Sequence, residues 1–271
     1  MANRSALVNV MVKAAMKASR DLRRDFGEVE QLQVSRKGPA DFVTTADHRT
    51  ERILFEELSR ARPDFGFLME EQGATDVDAP SRFIIDPIDG TLNFMHGLPH
   101  FAISIAAEER GQLIAGIIYN PILDELFWAD RGRGAYLNDQ RLRVSARSSL
   151  DDALLATGIP FKGRPDHARW LAEAEAFMPT VAGIRRYGSA ALDLAYVAAG
   201  RYDGFWEDGL NPWDIAAGIL LVREAGGFVT DPLGRDRMME SGDVVAGTES
   251  VQRAMVKLLK GIRKEQAAKA G

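Results

Sequence analysis

The sequence predicts an α/β protein in which an α+β half is followed by an alternating α/β half. Three observations lead to this fold class: helical periodicity over residues 5–26, apolar strand-like runs joined by short turns through residues 101–129, and strands alternating with helices from about residue 154 onward. Segregated strands are typical of an α+β layer, and alternation is typical of an α/β layer. We therefore expect two subdomains, residues 1–147 and residues 148–271, with a cleft between them.

The N-terminal segment predicts two helices separated by a loop. Apolar residues recur with helical spacing over residues 5–26, while Lys and Arg occupy the opposite face. Residues 35–40 are polar and rich in turn formers, which predicts a loop. A second helix is then expected to run to about Arg62, capped by Thr44 or the next threonine and carrying Asp47 in its first turn.

Two apolar strands are expected at residues 65–69 and 82–85, and both run directly into acidic residues. Glu70 follows the first strand, and Asp86 and then Asp89 follow the second. In open sheets, binding sites gather where strands end. We therefore expect these carboxylates to share one pocket.

The stretch from Asp86 to Thr91 carries the central chemical signal. Pro87 has no amide hydrogen to donate to a sheet, so the second strand is expected to stop at Asp86, and Gly90 with Thr91 to open a helix whose N–H groups favour an anion. Two carboxylates about 4 Å apart repel by roughly 4 kcal/mol at an effective dielectric near 20, so a proton or a cation is needed between them. The alternative is a surface turn, since Asp, Pro and Gly are all turn formers.

The middle of the chain predicts an antiparallel meander. Apolar runs at residues 101–107, 113–119 and 125–129 are joined by short turns. The glycine-rich residues 131–136 resemble part of a nucleotide-binding loop, but they lack the third glycine and follow the wrong elements. We interpret them as a hairpin turn.

The second half predicts four strands alternating with four helices. Strands are expected near residues 154–157, 184, 204–206 and 227–230, and helices near residues 166–177, 190–199, 212–225 and 250–262. Gly188 and Ser189 form a second helix start that favours an anion. Residues 257–269 predict a helix end or tail that frays.

Composition limits the chemistry. The chain has 271 residues, 46% hydrophobic, with a net charge of -5 and no cysteine. The acidic balance argues against a surface that coats nucleic acid, and the lack of cysteine removes disulfides, thiolate nucleophiles and Cys-ligated metal sites. No apolar run reads as a signal-peptide core or a membrane span, so cytoplasmic localisation without membrane association is expected.

A fourth acid stands at an element boundary, because Pro212 and Asp214 form a helix start. Taken alone, Asp214 is an ordinary capping residue. Together with Glu70, Asp86 and Asp89 it predicts an oxygen-ligand site suited to Mg²⁺ or Mn²⁺, since the four histidines show no paired spacing. Anion-accepting helix starts beside such a site indicate magnesium-assisted hydrolysis of a phosphate ester.

Six segments, in this order along almost the whole chain, resemble the inositol monophosphatase family. The matching segments are residues 41–47, 69–72, 86–94, 185–193, 212–218 and 224–227. The resemblance implies a layered α-β-α-β-α sandwich and a magnesium-dependent, lithium-sensitive phosphomonoesterase. It also implies a homodimer.

The resemblance also implies a metal site of two to three Mg²⁺ ions. Matching positions assign Glu70, Asp86 and the carbonyl of Ile88 to a first ion, and Asp86, Asp89 and Asp214 to a second. A third, more weakly held ion is expected near Glu70.

Catalytic and substrate-binding roles follow from the same matching positions. Glu70 with Thr91 is expected to orient the attacking water, with Asp47 supporting the pair from behind. Glu207 and Ala190 match positions that face a hydroxylated ring, and Arg185 matches a position near the substrate or the dimer partner. The expected substrate-binding residues are Asp89, Gly90, Thr91, Arg185, Ala190, Glu207 and Asp214.

The branch of the family is a separate question. Residues 86–94 look most like the inositol branch, which predicts myo-inositol 1-phosphate and similar small phosphorylated polyols as substrates. Histidinol phosphate, fructose 1,6-bisphosphate and 3'-phosphoadenosine nucleotides are the alternatives from related branches. Asn211 stands where some relatives have His.

A second hypothesis makes the chain a partner protein. Residues 185–200 resemble bacterial members that associate with RNA polymerase and antitermination factors, through a surface that would involve Arg185 and Arg186 or Lys13 and Lys17. A third hypothesis, a phosphatase fold without catalysis, is disfavoured because no acid of the matched set is replaced.

Overall fold

The computed structural model describes residues 4–28, 34–38, 41–161 and 166–270. Its first strands correct one prediction, since β1 (Val34–Gly38) pairs antiparallel with β2 (Asp41–Thr44) where a loop was expected over residues 35–40. Backbone pairing does not require apolar side chains, which is why polarity misled the sequence argument. Residues 39–40 lie outside the described residues.

Helices α1 (Ala6–Phe26) and α2 (Thr45–Ala61) form an outer layer. Ser5 caps α1 by accepting the Val8 amide hydrogen at 3.2 Å. Thr44 and Asp47 form a capping box at the start of α2. Both predicted helices are therefore confirmed, and the caps that the sequence offered fix where they begin.

The larger sheet has eight strands in the order β10-β9-β8-β7-β6-β5-β3-β4. Only β3 and β5 pair in parallel, while the other neighbours are antiparallel, so the predicted meander and hairpin turn are confirmed. The strands are β3 (Gly66–Met69), β4 (Gly73–Thr75), β5 (Ser81–Asp89), β6 (Ala102–Glu109), β7 (Gln112–Asn120), β8 (Glu125–Asp130), β9 (Gly134–Leu137) and β10 (Gln140–Arg141).

Pro87 had predicted that strand β5 stops at Asp86, but the strand continues to Asp89. Asp86 lies opposite Ser104 and Asp89 lies opposite Ala102, so β5 carries one extra residue in a bulge. Pro87 falls inside this bulge, where the ladder needs no amide hydrogen from it. The strand therefore delivers both aspartates at its end.

The smaller sheet has five strands in the order β12-β11-β13-β15-β14. Strand β11 is parallel to β12 and β13, whereas β15 is antiparallel to β13 and β14. Its strands are β11 (Leu154–Thr157), β12 (Gly183–Arg185), β13 (Gly204–Glu207), β14 (Phe228–Thr230) and β15 (Val244–Gly247). The remaining helices are α3 (Thr91–Met95), α4 (His167–Phe177), α5 (Ala190–Ala198), α6 (Pro212–Glu224), α7 (Met238–Ser241) and α8 (Glu249–Ala270).

Three hydrophobic cores stack these elements into layers. One core joins α1 and α2 to the larger sheet, the second places α5 and α6 between the two sheets, and the third joins the smaller sheet to α4 and α8. Alternation along β5 serves two of them, since Ile84 faces the inner helices and Ile85 faces α1 and α2. The predicted α-β-α-β-α sandwich is confirmed.

The inner helices pack closely enough to demand small residues. A Cβ at Gly218 of α6 would lie 2.5 Å from the Leu194 side chain of α5.

The larger sheet ends at Arg141 and the smaller begins at Leu154, but α5 and α6 share a core with both. The division into two subdomains near residue 147 stays a prediction.

Helix α8 continues to Ala270, beyond the predicted end near residue 262. Val251, Met255 and Leu259 are buried, and the Arg263 guanidinium bonds to the Glu173 carboxylate at 3.0 Å one turn later. This anchor and the good helix formers after it extend the helix. Among the residues described, no helix has both the length and the apolar character needed to cross a membrane.

Candidate metal centre and active site

Topology brings the predicted acids to one edge of the larger sheet. Strands β3 and β5 are parallel and in register, with Met69 opposite Ile85, so Glu70 and Asp86 leave adjacent strand ends together. The Glu70 amide hydrogen bonds to the Ile85 carbonyl at 3.2 Å, which fixes this relation. Helix α6 adds Asp214 from its first turn.

Asp86, Asp89 and Asp214 converge on one point. One carboxylate oxygen from each lies within 4.8 Å of the others. At that separation two ionised carboxylates repel by roughly 3 kcal/mol at an effective dielectric near 20. The cluster is therefore strained when all three groups are ionised and no cation is present.

The pKa values of these aspartates express that strain. Burial raises the pKa of Asp86 well above its ordinary value, and the charges of Glu70, Asp89 and Asp214 raise it further. Burial likewise raises the pKa of Asp214, with Asp89 the next cause. Since a nearby cation reverses these shifts, the donor set fits a hard divalent ion such as Mg²⁺, which prefers oxygen ligands.

Asp89 is held by the start of α5. Its Oδ2 accepts the Ala191 amide hydrogen at 2.8 Å and the Ser189 hydroxyl hydrogen. Burial raises the pKa of Asp89 to about 6, against the lowering effect of these bonds. The start predicted at Gly188 and Ser189 accepts an anion, which in this structure is the Asp89 carboxylate. Because Gly188 and Ser189 also line the cavity described below, phosphate binding there stays a prediction.

Thr91 and Asp47 form a second polar pair beside the aspartates. The Thr91 hydroxyl lies 3.2 Å from Asp47 Oδ1 and 3.0 Å from the Ile88 carbonyl oxygen. The fully buried Asp47 also accepts the Thr44 amide and hydroxyl hydrogens, at 2.8 and 2.6 Å. Burial raises the pKa of Asp47 to about 7, and the charges of the neighbouring glutamates contribute.

A cavity of about 220 Å³ opens beside these groups. It is lined from both halves of the chain, which agrees with a cleft between two sheets. The residues around it include the predicted Glu70, Asp89, Gly90, Thr91, Ala190, Glu207 and Asp214. Asp86 and Ile88 are 2% and 1% exposed and lie behind this surface.

Comparison with known proteins now identifies the family. The model of the "Inositol monophosphatase family" matches residues 3–266 of the chain. The chain belongs to the inositol monophosphatase family. This confirms the family and the phosphatase class that the sequence motifs had indicated.

Individual relatives cover nearly the whole chain. It is 60% identical over 258 residues to the inositol-1-monophosphatase of Mesorhizobium japonicum, covering 95% of this chain and 97% of that protein. It is 44% identical over 251 residues to the Nus factor SuhB of Escherichia coli, covering 92% and 94%. The crystal structure of the extragenic suppressor protein suhB of Bartonella henselae superposes with a TM-score of 0.92 at 58% identity, covering 94% and 99%.

One predicted substrate-binding residue, Arg185, lies away from the cavity. The exposed Arg185 donates to the Ile184 carbonyl at 3.1 Å and does not line the cavity. Its neighbour Arg186 does line it. Neighbouring residues on an extended segment point in opposite directions. The sequence shows both arginines, but it does not show which of the two faces the cavity.

Glu51 is a site residue that sequence reasoning missed. It is fully buried, and its carboxylate accepts the amide hydrogens of Glu71 and Gln72 at 2.8 and 3.0 Å. These amides follow Glu70 directly, so Glu51 fixes the segment that presents Glu70. Its position one helical turn after Asp47 on α2 was the signal that could have found it.

Two glycines let the cavity form. Gly90 has φ +94°, and a Cβ there would lie 3.1 Å from the His100 carbonyl oxygen. A Cβ at Gly158 would lie 1.9 Å from the Glu207 carboxylate. The Glu207 carboxylate therefore occupies space that any other residue at position 158 would take.

Proposed function

We propose that this protein is a Mg²⁺-dependent phosphomonoesterase that hydrolyses myo-inositol 1-phosphate, and similar small phosphorylated polyols, to the free alcohol and phosphate. The observation that carries the proposal is the convergence of Asp86, Asp89 and Asp214 within 4.8 Å, because two buried carboxylates and one half-buried carboxylate at this distance suit a cation. The family membership supports the reaction class.

Glu70, Asp86, Asp89, Asp214 and the carbonyl of Ile88 would hold two to three Mg²⁺ ions. When bound, these ions neutralise charge on the phosphate and lower the pKa of an attacking water. The raised pKa values of Asp86 and Asp214 support a bound cation, and the oxygen-only donor set supports Mg²⁺ over softer metals.

The polar pair Thr91 and Asp47 would position the water. When the Thr91 hydroxyl donates to Asp47 Oδ1 at 3.2 Å, its lone pairs remain able to accept a hydrogen bond from water. Glu70 lines the same cavity and provides a second acceptor for that water. Two acceptors at fixed positions leave the water lone pair aimed at phosphorus, which is the contribution expected of positioning groups.

The alcohol side of the substrate would face Glu207 and Ala190. A carboxylate accepts hydrogen bonds from hydroxyl groups, so Glu207 favours a polyol over an apolar alcohol. Relatives at 55–60% identity are named inositol-1-monophosphatase, which supports inositol 1-phosphate as the substrate. The oxygen of the attacking water forms a new P–O bond while the ester P–O bond breaks. The water loses one proton and the departing alkoxide gains one, so protons and charge balance.

A substrate panel tests this proposal. Phosphate release would be measured from myo-inositol 1-phosphate, histidinol phosphate, fructose 1,6-bisphosphate and 3'-phosphoadenosine 5'-phosphate, each with Mg²⁺, with EDTA and with Li⁺. We expect Mg²⁺-dependent preference for inositol phosphate that Li⁺ suppresses. Preference for another compound would move the chain to that branch, and activity in EDTA would contradict the metal assignment.

A second candidate function is association with the transcription antitermination machinery in the cytoplasm, and it rests on the 44% identity to the Nus factor SuhB. The exposed Arg185, Arg186, Lys13 and Lys17 are the residues proposed for contact. A pull-down at low salt from cell extract should recover RNA polymerase or antitermination factors and lose them with Arg185→Ala and Arg186→Ala. Recovery of none would argue against this role.

We also propose a homodimer, to be tested by light scattering.

A further inference from the structure

Three backbone segments converge on the side chain of one asparagine beside the cavity. Asn93 of α3 is 7% exposed, and its Nδ2 donates to the His100 carbonyl at 2.7 Å and to the Tyr187 carbonyl at 2.7 Å. A primary amide carries two hydrogens, so these bonds use its full donor capacity. Asn93 therefore has no amide hydrogen left to donate to a phosphate in the cavity that it lines.

The convergence is close because Gly90 has no side chain. A Cβ at this position would lie 3.1 Å from the His100 carbonyl oxygen and 3.2 Å from the Gly188 carbonyl oxygen. The rings of His100 and Tyr187 also pack against each other, with their centroids 5.1 Å apart. The two bonds of Asn93 therefore join segments that are already in contact.

The same junction holds the Asp89 carboxylate. Ser189 stands two residues after Tyr187, and its hydroxyl donates to Asp89 Oδ2. The Ala191 amide donates to the same oxygen at 2.8 Å. The chain from Asp89 to Asn93, the bond to Tyr187, the chain onward to Ser189 and the bond back to Asp89 therefore form a closed ring.

The closed ring fixes the direction of the Asp89 carboxylate. Since Ser189 and Ala191 both bind Oδ2, they determine how the carboxylate is rotated and where its other oxygen points. Without the bond from Asn93 to Tyr187, the start of α5 could move away from Asp89 and the carboxylate could turn. Substitution of groups that orient metal ligands costs about 10- to 100-fold in metal affinity or activity.

We propose that Asn93 is a positioning residue for the metal centre, because by closing this ring it holds the start of α5 against Asp89 and fixes the Asp89 carboxylate in the orientation that binds Mg²⁺. The proposal rests on the proposed function. Asn93 acts through Asp89 and the start of α5, and it takes no part in the chemical step itself.

Asn93→Ala removes both bonds, and Asn120→Ala is the matched control. Asn120 is also buried, donates to the Pro99 carbonyl at 3.1 Å and accepts the amide hydrogens of Ile122 and Leu123 at 3.0 Å. It therefore holds the loop that contains residue 100 without reaching the segment before α5. Both variants should melt at a lower temperature than wild-type protein in EDTA, because each leaves former hydrogen-bonding partners unpaired.

Calorimetry with Mg²⁺ alone separates the two variants. Asn93→Ala should raise the Kd for Mg²⁺ about 10-fold. At saturating Mg²⁺ it should lower kcat for myo-inositol 1-phosphate and for glycerol 2-phosphate alike, since both substrates use the same metal centre. Asn120→Ala should leave Kd and kcat unchanged. Asn93→Ser, whose hydroxyl has a single hydrogen, should change Kd less and in the same direction, and it provides the same comparison if the alanine variant does not fold.

The Kd values decide the outcome. An unchanged Kd for Asn93→Ala, or an equal rise for Asn120→Ala, would overturn the proposal and leave Asn93 a structural residue. Failure of the proposed function gives a different result, because wild-type protein would then bind Mg²⁺ but release no phosphate from either substrate, and the comparison of Kd values would still decide the role of Asn93. Wild-type protein that binds no Mg²⁺ would overturn this role as well.

Discussion

Asp214→Asn separates the metal centre from an ordinary structural cluster of acids. In wild-type protein the Asp214 carboxylate lies within 4.8 Å of those of Asp86 and Asp89, where each ionised pair repels by roughly 3 kcal/mol at a dielectric near 20. Asparagine removes the charge, yet its carbonyl oxygen can still accept the Asn211 amide hydrogen that Asp214 accepts at 2.7 Å. The helix start is therefore preserved.

The expected effect on stability changes sign with Mg²⁺. In EDTA at pH 8 the variant should be more stable than wild-type protein, because it lacks one of the repelling charges. The gain should be at most about 3 kcal/mol, because the acids with raised pKa values take up protons in wild-type protein and this already relieves part of the repulsion. Saturating Mg²⁺ at about 100 times its Kd should stabilise wild-type protein by about 2.7 kcal/mol. Asp214→Asn should gain much less, since it loses one ligand.

Urea unfolding in EDTA and in Mg²⁺ measures both effects. Asp236→Asn is the control, because Asp236 is exposed on the surface and its substitution makes the same charge change away from the centre. A variant that is less stable than wild-type protein in EDTA, or that gains the same stability from Mg²⁺, would refute the assignment of Asp214 to a metal site.

Four further substitutions test single steps of the account. Asp89→Asn should fold normally and lose at least about 100-fold in kcat, because charge stabilisation at a reacting centre is worth this much; near-normal turnover would contradict its role. Glu51→Gln leaves one oxygen to accept two amide hydrogens, so stability in EDTA should fall by about 1–3 kcal/mol, and the Mg²⁺ concentration for half-maximal activity and the calorimetric Kd for Mg²⁺ should rise several-fold as well; a loss of stability with unchanged Mg²⁺ affinity would make Glu51 merely structural. Gly158→Ala should raise KM for inositol phosphate, because the new methyl group would lie 1.9 Å from the Glu207 carboxylate and must displace it. An unchanged KM would contradict the assignment of Glu207 to the substrate site. Burial raises the pKa of Glu173 from 4.5 to about 7, so the folded state binds more protons than the unfolded state between these values and the free energy of unfolding falls as pH rises through this window. Glu173→Gln should remove up to about 3 kcal/mol of the difference between pH 5 and pH 8 in EDTA, and identical differences in both proteins would contradict this.

The convergence of acids could be predicted from the sequence because strand ends are easy to recognise. An apolar run that meets Glu70 and another that meets Asp86 define two ends, and parallel pairing of β3 and β5 places them side by side. The five-layer order was available only through the family resemblance. Nothing in the periodicity reports that α5 and α6 lie between the sheets.

The errors have local physical causes. The proline rule failed at Pro87 because a bulge removes the need for its missing amide hydrogen, and a bulge depends on the partner strand. Glu51 was missed because its function is to accept backbone hydrogens of a distant loop. The choice between Arg185 and Arg186 depends on how one short segment is rotated. In each case the deciding partner is far away in sequence.

The most direct test of the central claim is the rate of phosphate release from myo-inositol 1-phosphate as Mg²⁺ is titrated into protein first treated with EDTA. The account predicts no release without the ion, a rise that saturates as Mg²⁺ is added, and no rise for Asp89→Asn. Release that is independent of Mg²⁺, or a variant that follows the wild-type curve, would contradict a metal centre built from Asp86, Asp89 and Asp214.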